Sequence, residues 1–287
     1  MKKLLAYKRL FRIEHALMLV VAVLFAEMLA ADAFSLPLPS IEIILLSLSV
    51  PLFIEMGSFA LNDYFDVETD RANKRGDRPI AAGEIGRNDA LIASAACYVF
   101  GIAAAAPLPP TAFAIAIIFA ALSILYNWKL KDIALAGNAY IAASMAIPFV
   151  FGNVVVSTAP YLPLLAIADV AFVAGLGREI IKSVEDVEGD TKHRNSKTLP
   201  ALVGKSNAIF GAQACYALLV PLSFLPYYFG LPINTLSLGL VALTALSFAG
   251  MAVKASREPT GQTFQAIRKT SLLSLAAGLL GYAASLI

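Results

Sequence analysis

Nine apolar runs, each close to the length that crosses a bilayer, occupy most of this 287-residue sequence. They are Ile13–Ala31, Ile41–Leu61, Asp89–Ala106, Thr111–Tyr126, Ala134–Gly152, Tyr161–Val184, Ala208–Tyr228, Ile233–Val253 and Ser271–Ile287. One helical crossing needs roughly 20 apolar residues. Lipid offers no hydrogen bonds, so only helices and closed barrels satisfy the backbone inside it. The runs are continuous, without the alternation of barrel strands, and therefore predict helices. Composition agrees: 59% of residues are hydrophobic and 15% charged, whereas soluble domains carry about 25% charged residues. The expected fold is an all-α membrane protein, a bundle of nine transmembrane helices in one domain, 1–287, multi-pass in the cell membrane with the lipid bilayer around it.

The basic residues set the orientation. Numbering the connections alternately, all 22 Lys and Arg fall on the side of the N-terminus and none on the other. Cytoplasmic loops are the ones enriched in Lys and Arg, so the N-terminus is expected to be cytoplasmic. Adding or removing one crossing would destroy this partition. The first run reads as a span rather than a secretory signal, because Glu27 interrupts it and eight more runs follow. Cys97 and Cys215 lie inside apolar runs and predict buried thiols. A net charge of +2 supplies no broad basic surface, so no nucleic-acid partner is expected.

Function is expected on the two longest cytoplasmic connections, about 66–88 and 185–207. Each begins with an acidic helix end. The first reads Asn62-Asp63-Tyr64-Phe65-Asp66-Val67-Glu68-Thr69-Asp70; the second contains Glu179, Lys182, Glu185, Asp186, Glu188 and Asp190. The stretches Asp66-Val-Glu-Thr-Asp70 and Asp186-Val-Glu-Gly-Asp190 nearly coincide and hint at an internal duplication. Residues four apart share a helical face. Asn62, Asp66 and Asp70 form one stripe if the helix continues through them; Glu179, Asp186 and Asp190 form another. Crowded carboxylates at a membrane boundary favour a bound cation, and an all-oxygen donor set suits Mg²⁺ shared with phosphate oxygens. Lys74, Arg78, Lys129, Lys131, Lys182, Lys192 and Lys197 are candidates for those phosphates, although topology alone also demands basic residues there. Glu55 and Asp169 are intramembrane acids, and such residues are functional candidates. Arg12 and His15, close together at the start of the first run, could reach an acceptor phosphate, with interfacial anchoring the better reading; Trp128 reads most simply as an interfacial anchor.

At these residues the sequence resembles the UbiA superfamily of intramembrane prenyltransferases. Asn62, Asp66 and Asp70 match its first signature, and Asp186 and Asp190 its second. Asp77-Arg78-Pro79-Ile80-Ala81-Ala82-Gly83 is similar to its Asn-Arg-Pro-Leu-x-x-Gly stretch, with Asp replacing Asn; Glu179 stands where many members carry an earlier Asp. The segment 178–190, followed by Lys192 and Lys197-Thr-Leu-Pro200, is most similar to archaeal digeranylgeranylglyceryl phosphate synthases. The resemblance implies a Mg²⁺-dependent prenyltransferase with catalytic Asp66, Asp70, Asp186 and Asp190, the same four with Asn62 as metal ligands. It implies Asn62, Lys74, Arg78, Lys129, Lys131, Glu179 and Lys182 around the substrate. The implied reaction joins geranylgeranyl diphosphate to the hydroxyl of geranylgeranylglyceryl phosphate, forming the second ether of an archaeal membrane lipid. Two other readings stay open: a prenyltransferase for an aromatic acceptor, and an ion-coupled transporter, which would favour acids near the bilayer midplane.

Overall fold

The computed structural model describes residues 2–72, 74–194 and 198–287, with side chains left out at residues 2 and 188–194. Every element described is helical. Seven helices are long and apolar enough to cross a membrane. They are α2 (Ile13–Ala33), α3 (Ile41–Ala72), α4 (Arg87–Ala105), α5 (Pro110–Trp128), α6 (Ala136–Val156), α9 (Lys205–Leu222) with the short α10 (Leu225–Tyr228), and α11 (Thr235–Arg257). The two other predicted runs lie on α7 (Leu162–Arg194) and α12 (Gly261–Ala284). These are long helices with more charge: Asp169, Arg178 and Glu179 on α7, Arg268 and Lys269 on α12. Large apolar side chains such as Phe100, Ile118, Leu246 and Leu273 stand exposed, as a lipid-facing surface requires. The chain is a multi-pass membrane protein.

Two compact units divide the chain. The first comprises Met1–Leu130 with Phe151–Ala159. It opens with a helix that the run pattern did not anticipate, α1 (Lys2–Phe11), ended by Arg12 at φ 44, ψ 52. That left-handed backbone turns the chain between α1 and α2, and no Gly or Pro marks it. Helix α3 is the spine, packing along α4 and also against α1, α2 and α5. Small residues let α3 and α4 approach closely. A Cβ on Gly57 would lie 3.2 Å from the Ser94 carbonyl oxygen, and one on Gly101 would meet Ile54 Cγ1 at 2.9 Å. At the same contact the Ser94 hydroxyl donates to the Gly57 carbonyl at 2.7 Å. Asn127 Nδ2 on α5 donates to Ser58 Oγ of α3 at 3.2 Å, and Tyr98 of α4 shares a 2.6 Å hydrogen bond with Ser123 of α5.

The second unit comprises Lys131–Val150 and Pro160–Ile287. Helix α7 packs on α9, α9 on α11, α11 on α12, and α12 on α7. The short α8 (Leu199–Val203) joins α7 and α9. Tyr216 and Phe248 stack at 5.9 Å in the core, with Ile181 and Ile267 buried around them. Gly177 makes the α7–α9 approach possible: a Cβ there would sit 3.0 Å from Tyr216. The run Ala208–Tyr228 is broken in the structure, with Ser223 and Phe224 between α9 and α10.

Candidate active site

Each unit carries one of the two acidic helix ends.

In the first unit, α3 continues unbroken to Ala72. Asn62, Asp66 and Asp70 therefore share a face, as their spacing requires. Asp66 and Asp70 are buried and Asn62 half-buried. Burial of acids at a helix end needs cover, and residues 74–86 supply it. Lys74 adopts φ 52, the Arg75 N–H donates to the Asp70 carbonyl, and Gly83 at φ 75 completes a return. Ile80 and Ile85 then bury against Ala60 and Val67 of α3 and Ala6 and Leu10 of α1. The return brings Arg78 back over the helix end. Its Nη1 lies 2.5 Å from Asp63 Oδ1 and its Nε 4.0 Å from Asp70 Oδ2. Asp77, which stands where the family pattern has Asn, is gripped by Arg75 through two 2.9 Å hydrogen bonds. That pairing holds its carboxyl below the usual range.

Asp63 is the residue that sequence reasoning passed over. It is 1% exposed, and its Oδ1 also receives Arg12 Nη2 at 2.6 Å. Arg12 is thus not merely an interfacial anchor. Its guanidinium lies 4.4 Å over the Phe59 ring and reaches the acidic end of α3. The available signal was that Asp63, three before Asp66 and seven before Asp70, lies on the same helical side. Nothing in the spacing revealed Arg12 as its partner, because the left-handed joint that aims Arg12 has no sequence mark.

In the second unit, α7 likewise runs straight through its acidic stretch. Glu179 is buried, with Arg178 Nη1 at 2.6 Å and Lys182 Nζ at 3.5 Å. Ser183, whose hydroxyl donates to the Glu179 carbonyl, accepts from Asn138 Nδ2 at 2.9 Å. Asn138 therefore ties α6 to α7. Glu185 binds Arg268 at 2.7 Å and Gln265 at 3.1 Å on α12. Asp186 is exposed. Asp190 and Lys192 fall among residues whose side chains lie outside those described, and Lys197 lies outside the described residues.

Among the other candidates, Lys74 and Lys129 are exposed and Lys131, on a 3-10 turn Leu130–Asp132, is half-buried. Glu55 is half-buried on α3; Asp169 is exposed on α7, turned away from that unit's core. The metal test rests on donor chemistry. Asn62, Asp66 and Asp70 offer only hard oxygens, and two are buried carboxylates, which fits Mg²⁺. Among the described residues no three His, Cys, Asp or Glu cluster tightly enough to hold a metal unaided. A cation here would complete its shell with Asn62, water and ligand oxygens, as Mg²⁺ usually does.

Comparison with known proteins gives a consistent result. The model of the UbiA prenyltransferase family matches residues 19–275. A digeranylgeranylglyceryl phosphate synthase from Archaeoglobus fulgidus is 34% identical over 280 residues, covering 95% of this chain and 92% of that protein. One from Pyrococcus abyssi is 35% identical over 245 residues, with 85% and 86% covered. A structure described as giving insight into the biosynthesis of digeranylgeranylglyceryl phosphate synthase in membranes aligns with TM-score 0.80 and 28% identity, over 99% of each chain. A UbiA homologue from Archaeoglobus fulgidus bound to DMAPP and Mg²⁺ shares the fold, with TM-score 0.69 and 20% identity over 96% of this chain and 99% of that one.

Proposed function

The chain belongs to the UbiA prenyltransferase family, and from that premise we propose that it transfers a geranylgeranyl group from geranylgeranyl diphosphate to the hydroxyl of geranylgeranylglyceryl phosphate, with Mg²⁺ as cofactor. The observation that carries this reading is the end of α3, where buried Asp66 and Asp70 share a face beneath Arg78. The names of its relatives support the acceptor, and the Mg²⁺ and DMAPP bound by a protein of the same fold support the metal and donor class. Membership in a transferase family weighs against the transporter. Nine crossings, a cytoplasmic N-terminus and a single functional domain are part of the same proposal. They are supported by nine runs that all lie on helices and by the one-sided Lys and Arg.

In this reading Asn62, Asp66, Asp70, Asp186 and Asp190 hold the metal. Lys74, Arg78, Lys129, Lys131 and Lys182 meet phosphate oxygens, and Glu179 orients Lys182. Bound Mg²⁺ supplies charge neutralisation at the departing diphosphate. Arg78 and the lysines add hydrogen bonds to the same oxygens, which strengthen as negative charge develops. The allylic carbon–oxygen bond breaks and diphosphate departs. The acceptor oxygen bonds to the freed allylic carbon and its proton leaves. Helices around the isoprenoid exclude water, which would otherwise capture the cation.

Incubation of purified protein with labelled geranylgeranyl diphosphate, geranylgeranylglyceryl phosphate and Mg²⁺ tests the reading. The expected product is the doubly prenylated ether, absent when EDTA is added. Diphosphate release without prenylated lipid, or prenylation of an aromatic acceptor in preference to the lipid, overturns it.

A further inference from the structure

Helix α1 has ten residues and no acid; its charged residues are Lys2, Lys3, Lys8 and Arg9. A helix this short is marginal on its own, so contacts must hold it. Ala6 and Leu10, four apart on one face, bury against Ala60 and Val67 of α3, Ile80 and Ile85 of the return, and Ala90 in the first turn of α4. Tyr7 and Phe11 flank that face, with their rings 5.9 Å apart. Arg9 pairs with Glu84. These contacts account for one side of the helix.

On the other side, Leu4 and Leu5 are 75% and 57% exposed. A single exposed leucine is ordinary; two in succession on a helix already packed on its opposite face call for a cover. Leu4 extends the ridge of Tyr7 and Phe11, at offsets of three and seven. Lys8 stands one turn beyond both leucines, and it and Lys3 are exposed. Lys8 reaches Glu14 at 3.2 Å, with the two side chains 56% and 66% exposed. Such a pair is worth little in water, and another anion can replace the glutamate.

The place of α1 identifies the cover. Only Arg12 separates it from α2, a membrane span on which Leu17, Met18 and Val21 stand exposed. Leu17 lies four residues into α2, about 6 Å along the axis at 1.5 Å per residue. The apolar surface that faces lipid therefore begins within a turn or so of the end of α1. Apolar side chains flanked by lysines, at the level where a bundle leaves the hydrocarbon, are the pattern of a helix lying in the membrane interface. Negative headgroups complement the lysines, whose long stems let the ammonium groups rise to them while the leucines stay down.

We propose that α1 is an interfacial helix, with Leu4 and Leu5 sunk at the acyl boundary and Lys3 and Lys8 against the phosphates of anionic lipid headgroups. The partner is the bilayer surface, rather than a second copy or a soluble protein. The topology proposed above decides only that the leaflet is cytoplasmic.

The experiment uses the full-length protein in nanodiscs. Trp128→Phe removes the native indole and Leu4→Trp places a new one on α1. In discs of phosphatidylcholine and phosphatidylglycerol brominated high on the acyl chain, the new indole is expected to be quenched strongly by the lipid and weakly by aqueous acrylamide. Hydrogen exchange then reads the charge. Amides of α1 should be protected at least about tenfold more with phosphatidylglycerol present than in phosphatidylcholine alone, as two lysines at an anionic surface imply. Lys3→Gln/Lys8→Gln should remove that difference. Quenching by acrylamide without quenching by bromolipid overturns the proposal, because the leucines then face water. Shielding from both quenchers in discs holding two copies, but not in discs holding one, assigns the cover to a second copy and also overturns it. Equal protection in the two lipids overturns the headgroup contact. None of these readouts involves turnover, so their failure leaves the proposed prenyl transfer standing, and failure of prenyl transfer leaves them standing.

Discussion

The end of α3 and the end of α7 carry almost the same five residues, Asp66-Val-Glu-Thr-Asp70 and Asp186-Val-Glu-Gly-Asp190, in different surroundings. In both, the valine after the first aspartate is buried. Asp66 is buried beside Val67, whereas Asp186 is exposed beside Val187. Glu68 stays at the surface with Arg71, while Glu185, the residue just before the second stretch, is tied to Arg268 and Gln265 of α12. The first stretch is covered by the return through Arg78 and by α1. The second is braced sideways through Glu185, the residue before it. Equal local sequence thus fixes which residues share a helical face, and the segments packed over that face decide which acids lose water. The buried charge that organises each end stands outside the shared five residues: Asp63 between Arg12 and Arg78, Glu179 between Arg178 and Lys182.

The comparison can be broken most sharply at the shared aspartates. Asp66→Asn and Asp186→Asn should each lower turnover at least about a hundredfold, the scale of a lost metal contact, with both proteins remaining folded by circular dichroism. Wild-type turnover by Asp186→Asn would mean that the exposed end has no part in the chemistry. Next in size is Asp63→Leu. It strands two arginines that shared one buried partner and should cost about 3 kcal/mol, read as a lowered midpoint of thermal unfolding in detergent. Glu179→Leu should cost less, because Lys182 is 41% exposed and can return to water. An equal loss from the two would show that the ends are held alike. Gly101→Val drives a methyl group into Ile54 and should cost about 1–3 kcal/mol by overpacking, again read by thermal unfolding. The smallest effect belongs to Lys129→Ala. This exposed side chain should change stability by no more than about 0.5 kcal/mol, so any rise in the Michaelis constant for geranylgeranyl diphosphate reports phosphate contact alone.

Much of this was written in the apolar runs. The predicted runs are helical because lipid leaves the backbone no alternative, with Ala208–Tyr228 alone divided between two helices, and the acidic stripe along α3 needed only that the helix continue past Leu61, which it does. What stayed hidden depends on chain reversals. Arg12 sits where topology already explains a basic residue, and its joint has neither Gly nor Pro, so α1 could not be separated from α2 by pattern. Asp63 reads as one acid among several until the segment ending near Ile85 folds Arg78 back across fifteen residues of sequence. The exposure of Asp186 was invisible for the converse reason, since its five residues match a stretch whose first aspartate is buried.

The clasp between Gly57 and Ser94 has a consequence for depth. With no Cβ on Gly57, α3 lies close enough to α4 for the serine hydroxyl to grip the glycine carbonyl. Sliding by one turn, about 5.4 Å, would break that grip and bring a larger side chain against the Ser94 backbone. Asp66 stands nine residues farther along the same rigid rod, about 13 Å away at 1.5 Å per residue. A glycine inside the apolar span therefore acts as a stop that sets how far the acid-bearing tip of α3 projects toward water.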